Sequence, residues 1–245
     1  MGRVLIMAVS FACYAAFFAS FVYLVGWVAA FDFMPTHVDK GLSAAPATAV
    51  VINLALIALF GIQHSVMARK SFKKAWTKIV PKPLERSFYC LATALVLGAM
   101  FLWWHPIPGT LWSVQNETLR LAIWAVFWFG WAFLFIATLL LNHFELFGLQ
   151  QAWHNMQGKS AAPMTMKTPG FYKFVRHPIQ TGVFIAIWAT PDMTYSHLLF
   201  AVCYTAYIWI GLHYEEKDLV AEFGDDYLDY RRKVGKVLPG LGKSS

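Results

Sequence analysis

Residues 4–31, 41–63 and 121–141 carry no charged side chain, and each run reaches the roughly 20 apolar residues that cross a hydrocarbon core. A shorter run at 88–104 ends on Trp103 and Trp104, aromatic residues suited to the membrane–water interface. The pattern predicts membrane-spanning helices at about 4–31, 46–66, 88–105 and 119–141. The first run is too long for the apolar core of a signal peptide and lacks a clear small-residue cleavage site, so it reads as a span. Pro35, Gly41 and Pro46 break the chain between the first two spans, and Pro106, Pro108 and Gly109 between the third and fourth.

A last apolar stretch, 179–212, is interrupted by Thr190-Pro191-Asp192-Met193-Thr194, and Pro-Asp is a turn signal. It therefore reads as a helical hairpin, about 179–190 and 195–220. Its first arm covers only about 18 Å at the helical rise. The fold class expected is all-α integral membrane, with four spans plus a C-terminal hairpin, or five spans in the alternative count. One domain, residues 1–245, is expected, with cytoplasmic segments 142–178 and 213–245 holding a cofactor pocket. The former is too long for a simple connector and reads as a functional loop.

Composition agrees. Hydrophobic residues make up 58% and charged residues 13%, against about 25% charged in soluble domains. The net charge of +7 raises the question of nucleic acid, but its distribution points elsewhere. Of 20 Lys and Arg, seven lie in 69–86, four in 159–176 and six in 217–243, while the loops at 32–46 and 105–117 hold only Lys40. Basic loops of this kind stay cytoplasmic, with both termini inside in a bacterial inner membrane, and anionic lipid headgroups suffice as their partners. No nucleic-acid partner is expected. Cys13, Cys90 and Cys203 sit in apolar runs without ligand spacing and read as packing residues.

Polar groups gather at the ends of the apolar runs. Gln63-His64-Ser65 ends the second span, Asn142-His143-Phe144-Glu145 follows the fourth, Arg176-His177-Pro178 opens the hairpin and Glu215-Glu216 closes it. Ionisable groups near a bilayer are costly and are functional candidates. The eight histidines show no metal-ligand spacing, so no metal is expected. Glycine-rich nucleotide loops and a nucleophile elbow are also missing from the sequence.

Proline restrains the residue before it and suits the first position of a helix, which holds His177 beside a helix N-terminus. That place suits a carboxylate. Glu215 and Glu216 suit ribose hydroxyls or an amino group, and Tyr172 suits a base or a sulfonium. These residues are compatible with S-adenosylmethionine (SAM), without singling it out.

The pattern Gly170-x-Tyr172-x4-His177-Pro178-x3-Gly182, then Glu215-Glu216-x2-Leu219-x3-Phe223-Gly224-x2-Tyr227-x2-Tyr230-x3-Val234 and Pro239, resembles the isoprenylcysteine carboxyl methyltransferase-like integral membrane methyltransferases. The stretches 63–69 and 142–149 are similar to the NnrU-like branch of that family, and likeness to the branch covers nearly the whole chain. The resemblance implies SAM as cofactor, in a cytoplasmic pocket lined by Tyr172, His177, Pro178, Ile179, Gln180 and Glu215. Gln157, Met164, Thr165, Met166 and Lys167 would join from the preceding loop. Two departures stand out: the family commonly has Tyr where Gln180 stands, and its prenylcysteine enzymes have a substrate-binding Arg where this chain has Gly211. Losing that Arg is consistent with a small, neutral acceptor.

The reaction implied is transfer of the SAM methyl to a small thiol, methanethiol, yielding dimethyl sulfide and S-adenosylhomocysteine. A thiolate is the better nucleophile, so a base is expected, with His143 first, His64 second and Glu216 third. The alternatives are a membrane methyltransferase acting on another thiol, a prenylcysteine or a lipid, and a non-enzymatic NnrU-like membrane protein.

Overall fold

The computed structural model describes residues 2–159 and 165–243. The chain runs through α1 (Arg3–Val28), α2 (Pro46–Ala68), α3 (Lys70–Trp76), α4 (Glu85–Trp103), β1 (Thr110–Ser113), α5 (Glu117–Leu141), α6 (His143–Leu146), α7 (Leu149–Gln157), α8 (Pro178–Trp188), β2 (Asp192–Thr194), α9 (Tyr195–Phe223) and α10 (Asp225–Lys233). Helices α1, α2, α5 and α9, together with α4 and the 3₁₀ turn that precedes it, are long and apolar enough to cross a membrane. Many of their large apolar side chains are exposed, Phe11, Val51 and Leu121 among them, as befits helices that face lipid rather than water. The protein is an all-α integral membrane protein. Helix α8 has 11 residues, about 16 Å of rise, and is too short to cross.

Two boundaries differ from the sequence pattern for local reasons. Helix α4 starts at Glu85 rather than near 88, because an acid in the first turn suits the positive end of the helix dipole, and Lys73 pairs with it at 3.8 Å. Helix α1 stops at Val28 because the chain turns back, with Ala30 at φ 55° and the Val38 N–H donating to the Trp27 carbonyl at 3.1 Å. The paired strands β1 and β2 have no counterpart in the sequence reading, being too short to show an alternating pattern.

Contacts divide the chain into two compact units. The first comprises Met1–Thr110, Phe144–Ala162 and Thr194–Phe200. Here α1 packs on α4 and α7. The buried hydroxyls of Ser10 and Ser87 meet at 2.7 Å, and Ser10 also donates to the Gly148 carbonyl at 3.3 Å. At the other end, Trp27 meets Trp104 and Phe200 edge to face. Asn53, fully buried in α2, donates to the His105 carbonyl at 2.7 Å and accepts from its N–H at 3.0 Å. Both ends of a costly buried amide are thereby satisfied.

The second unit comprises Leu111–His143, Pro163–Met193 and Ala201–Ser245. Its framework is α5 against α8, crossing backbone to backbone at Gly130 and Gly182. A Cβ on Gly182 would lie 2.6 Å from the Gly130 carbonyl oxygen and 2.7 Å from the Leu134 nitrogen. The two helices run antiparallel. Arg120 near the start of α5 grips Asp192 just beyond α8 through two bonds of 2.9 and 2.6 Å. Near the opposite end, Phe133 stacks on Phe171 at 4.2 Å. Helix α9 returns antiparallel to α8: the Trp188 indole donates to the Thr205 hydroxyl at 2.9 Å, and Phe184 meets Trp209 at 6.0 Å.

Candidate cofactor site

The antiparallel order of α5, α8 and α9 has one direct consequence within the second unit. It carries the C-terminal end of α5, the N-terminal end of α8 and the Glu215–Glu216 turn of α9 to the same end of that unit. Three of the four polar clusters seen in the sequence therefore share one level. The fourth, around His64, belongs to the first unit.

Arg176, 4% exposed, is the hub. Its Nε and Nη2 each lie 2.8 Å from Glu216 Oε1. Nη1 donates to the carbonyls of Arg231, at 3.2 Å, and Val234, while Nη2 also donates to that of Gly242 at 3.0 Å. The fixed guanidinium fork is thus fully occupied. Glu216 Oε1 also accepts from His177 Nε2 at 3.1 Å, and Glu216 Oε2 lies 3.2 Å from Lys236 Nζ. A carboxylate this heavily engaged is a structural counter-charge rather than a ready proton acceptor. The tail closes the arrangement: the N–H groups of Arg176 and His177 donate to the carbonyls of Gly235 and Lys236, and Thr181 donates to that of Val237 at 2.7 Å.

Around this buried base lie further polar groups, of which Glu215 is exposed. With Nε2–H committed to Glu216, His177 directs Nδ1 toward Glu215 Oε2 at 3.9 Å, beyond a direct hydrogen bond. Of the Glu215 side chain, 49% is accessible. Tyr172 is buried beside it, and burial, then the Glu215 charge, push its phenol above the ordinary range. Tyr230 donates to the Tyr172 carbonyl, and burial pushes its own phenol up to about 12. Both remain neutral hydrogen-bond donors at physiological pH.

His143 occupies the end of α5. Asn142, at φ 92°, turns the chain out of the helix, so that His143 Nδ1 meets the Thr138 hydroxyl at 2.9 Å with its ring edge-on to Phe135. The single Thr138 O–H proton goes to the Phe135 carbonyl at 2.7 Å. The hydroxyl oxygen must then accept from Nδ1–H, which makes Nε2 the lone-pair nitrogen. Burial lowers the His143 pKa, so the ring is neutral at pH 7.

Comparison with known proteins supplies the class of chemistry. Methanethiol S-methyltransferase 1 of Bradyrhizobium diazoefficiens is 46% identical over 228 residues, 93% of this chain and 80% of that protein. Methanethiol S-methyltransferases of Crocosphaera subtropica and Mycobacterium tuberculosis are 41% and 43% identical, over 100% and 98% of this chain and 96% and 98% of theirs. The chain belongs to the methanethiol S-methyltransferase family. It is an enzyme, a methyltransferase, and requires a methyl donor. No family model matches the chain, and no solved structure matches it.

Against that family membership, the residues singled out in the sequence fall into three sets. Tyr172, His177, Pro178, Glu215 and Glu216 come together in the second unit, with Ile179 and Gln180 half-buried in the first turn of α8. Thr165, Met166 and Lys167 form irregular chain in the same unit, while Gln157 is exposed at the end of α7 in the first unit. Met164 lies outside the described residues. His64 lies in α2, its ring stacked on Phe60, tilted against Tyr89 and 3.4 Å from the Thr93 hydroxyl. The sequence reading missed Arg176 as hub, Lys236 as partner of Glu216, and Thr138. An arginine directly before His-Pro was the available signal for the first; the acceptors from the tail are backbone carbonyls, which leave no trace in sequence. Among the described residues, no three His, Cys, Asp or Glu side chains gather as metal ligands.

Proposed function

We infer that this protein transfers a methyl group from SAM to methanethiol, giving dimethyl sulfide and S-adenosylhomocysteine. The observation that carries the acceptor is the shared name of relatives 41 to 46% identical over most of their lengths. SAM as donor is supported by the donor and acceptor set at the end of the second unit. Glu215 accepts from hydroxyl or ammonium groups, neutral Tyr172 presents a phenol and an aromatic face, and His177 Nδ1 lies 3.9 Å from Glu215. Ile179 and Gln180 border the start of α8, and Thr165, Met166 and Lys167 complete the set from the preceding loop.

When bound, SAM supplies a sulfonium-activated methyl group, which passes to the thiol sulfur and leaves S-adenosylhomocysteine. The chain's own work is placement, exclusion of water and control of one proton. His143 Nε2 takes the thiol proton as the sulfur attacks, and Thr138 holds the ring in the tautomer that permits it. His64 is the second candidate for that role. Glu216, with both oxygens engaged, holds the base of the site together rather than moving a proton. Gly211 offers no cation to a carboxylate-bearing acceptor, in keeping with a neutral thiol. We place the protein in a bacterial inner membrane with both termini cytoplasmic, on the support of the basic runs at 69–86, 159–176 and 217–243.

The test is production of dimethyl sulfide by purified wild type given SAM and methanethiol, beside Glu215→Ala. Product from wild type and loss of SAM affinity in the variant are expected. SAM binding without product would send the search to other acceptors. No SAM binding by folded wild type would contradict the donor assignment.

A further inference from the structure

Gly224, at φ 56°, turns the chain between α9 and α10. Three residues later Tyr227 enters the protein, only 3% exposed, with its ring 5.9 Å from that of Tyr230. The two tyrosines then differ. The Tyr230 hydroxyl is committed to the Tyr172 carbonyl. The Tyr227 hydroxyl is buried and meets no hydrogen-bond partner among the described residues. Buried polar atoms are almost always paired, and a phenol is enriched where one end of a ring is apolar and the other finds a partner. Burial, first of all, pushes this phenol well above the ordinary range, so it stays a neutral donor.

We propose that Tyr227 is a cofactor-binding residue whose phenol O–H donates to a ribose hydroxyl of SAM. A hydroxyl is the acceptor that fits, because it can donate to Glu215 while accepting from Tyr227. A ligand carboxylate in that place would face the Glu215 charge. The assignment rests on the SAM reading of this site, and it gives Tyr227 a role distinct from that of Tyr230.

The experiment compares wild type, Tyr227→Phe and Tyr230→Phe in detergent by calorimetry and thermal unfolding. The probes are S-adenosylhomocysteine and 5′-methylthioadenosine, which keeps the ribose and lacks the amino acid. Removing an unpaired buried hydroxyl should raise the ligand-free unfolding midpoint of Tyr227→Phe by about 2–4 °C. Both probes should bind that variant about tenfold more weakly, the loss of one hydrogen bond. Tyr230→Phe should instead unfold earlier without ligand. Unchanged affinities, loss for S-adenosylhomocysteine alone, or a lower ligand-free midpoint in Tyr227→Phe would each overturn the assignment. Failure of wild type to bind either probe would overturn the SAM reading itself, and is seen before any variant is compared.

Discussion

At the scale of residues, the two histidines at this end of the second unit have opposite ring nitrogens engaged. His177 gives its Nε2–H to a buried carboxylate and is fixed in place. His143 meets the Thr138 hydroxyl through Nδ1. His143→Ala is expected to lower kcat about 100-fold while S-adenosylhomocysteine affinity stays unchanged; unchanged kcat would remove His143 from the mechanism. Burial lowers the His143 pKa, so the acid limb of wild-type kcat/KM should fall below the ordinary value of about 6.5. Thr138→Val should keep the fold and lower kcat about five- to tenfold, with ¹⁵N imidazole shifts reporting a changed tautomer. Glu216→Gln is a different experiment. It leaves Arg176 buried beside a weaker partner and should cost about 3–5 kcal/mol of stability. Preserved thermal stability with lost turnover would make Glu216 catalytic after all.

At the scale of elements, the register of α5 on α8 decides where the site residues stand. Gly182→Ala sets a methyl group against the Gly130 carbonyl and the Leu134 nitrogen, and should destabilise by about 1–3 kcal/mol. Its effect should reach SAM affinity, because α8 carries His177. The opposite end of the pair is clamped by Arg120 and Asp192. The bidentate bond to Arg120, helped by Ser113, holds the Asp192 carboxyl below the usual carboxylate range. The clamp therefore contributes stability above the unfolded carboxylate value of about 4 and loses it as pH falls through the lowered folded value. Unfolding midpoints of wild type and Asp192→Asn should differ at pH 7 and converge as the pH drops through the lowered folded value; a pH-independent difference would contradict the clamp. The sequence made the hairpin legible, since Pro191-Asp192 breaks an apolar run. It could not show that Asp192 pairs with Arg120, because their separation in the chain hides a contact created by antiparallel packing.

At the scale of the whole molecule, the apolar runs and the loop charges made the membrane class and the long helices legible. The site was less so. Glu215 and Glu216 look equivalent in sequence, yet one is exposed and the other is buried among cations, a difference set by the 100° step between neighbours on a helix. The C-terminal tail reads as part of the cofactor segment, but the sequence does not show how it takes part: its backbone carbonyls and Lys236 complete the Arg176–Glu216 network. Deleting residues 234–245 should therefore unseat the site and abolish S-adenosylhomocysteine binding while the membrane-spanning helices still insert; retained affinity would show that the tail is dispensable. The methyl transfer itself is open to direct measurement. Headspace gas chromatography on purified protein supplied with SAM and methanethiol tests it most directly. Dimethyl sulfide from wild type and none above background from Glu215→Ala are expected. Folded, SAM-binding wild type that forms no dimethyl sulfide would contradict that transfer.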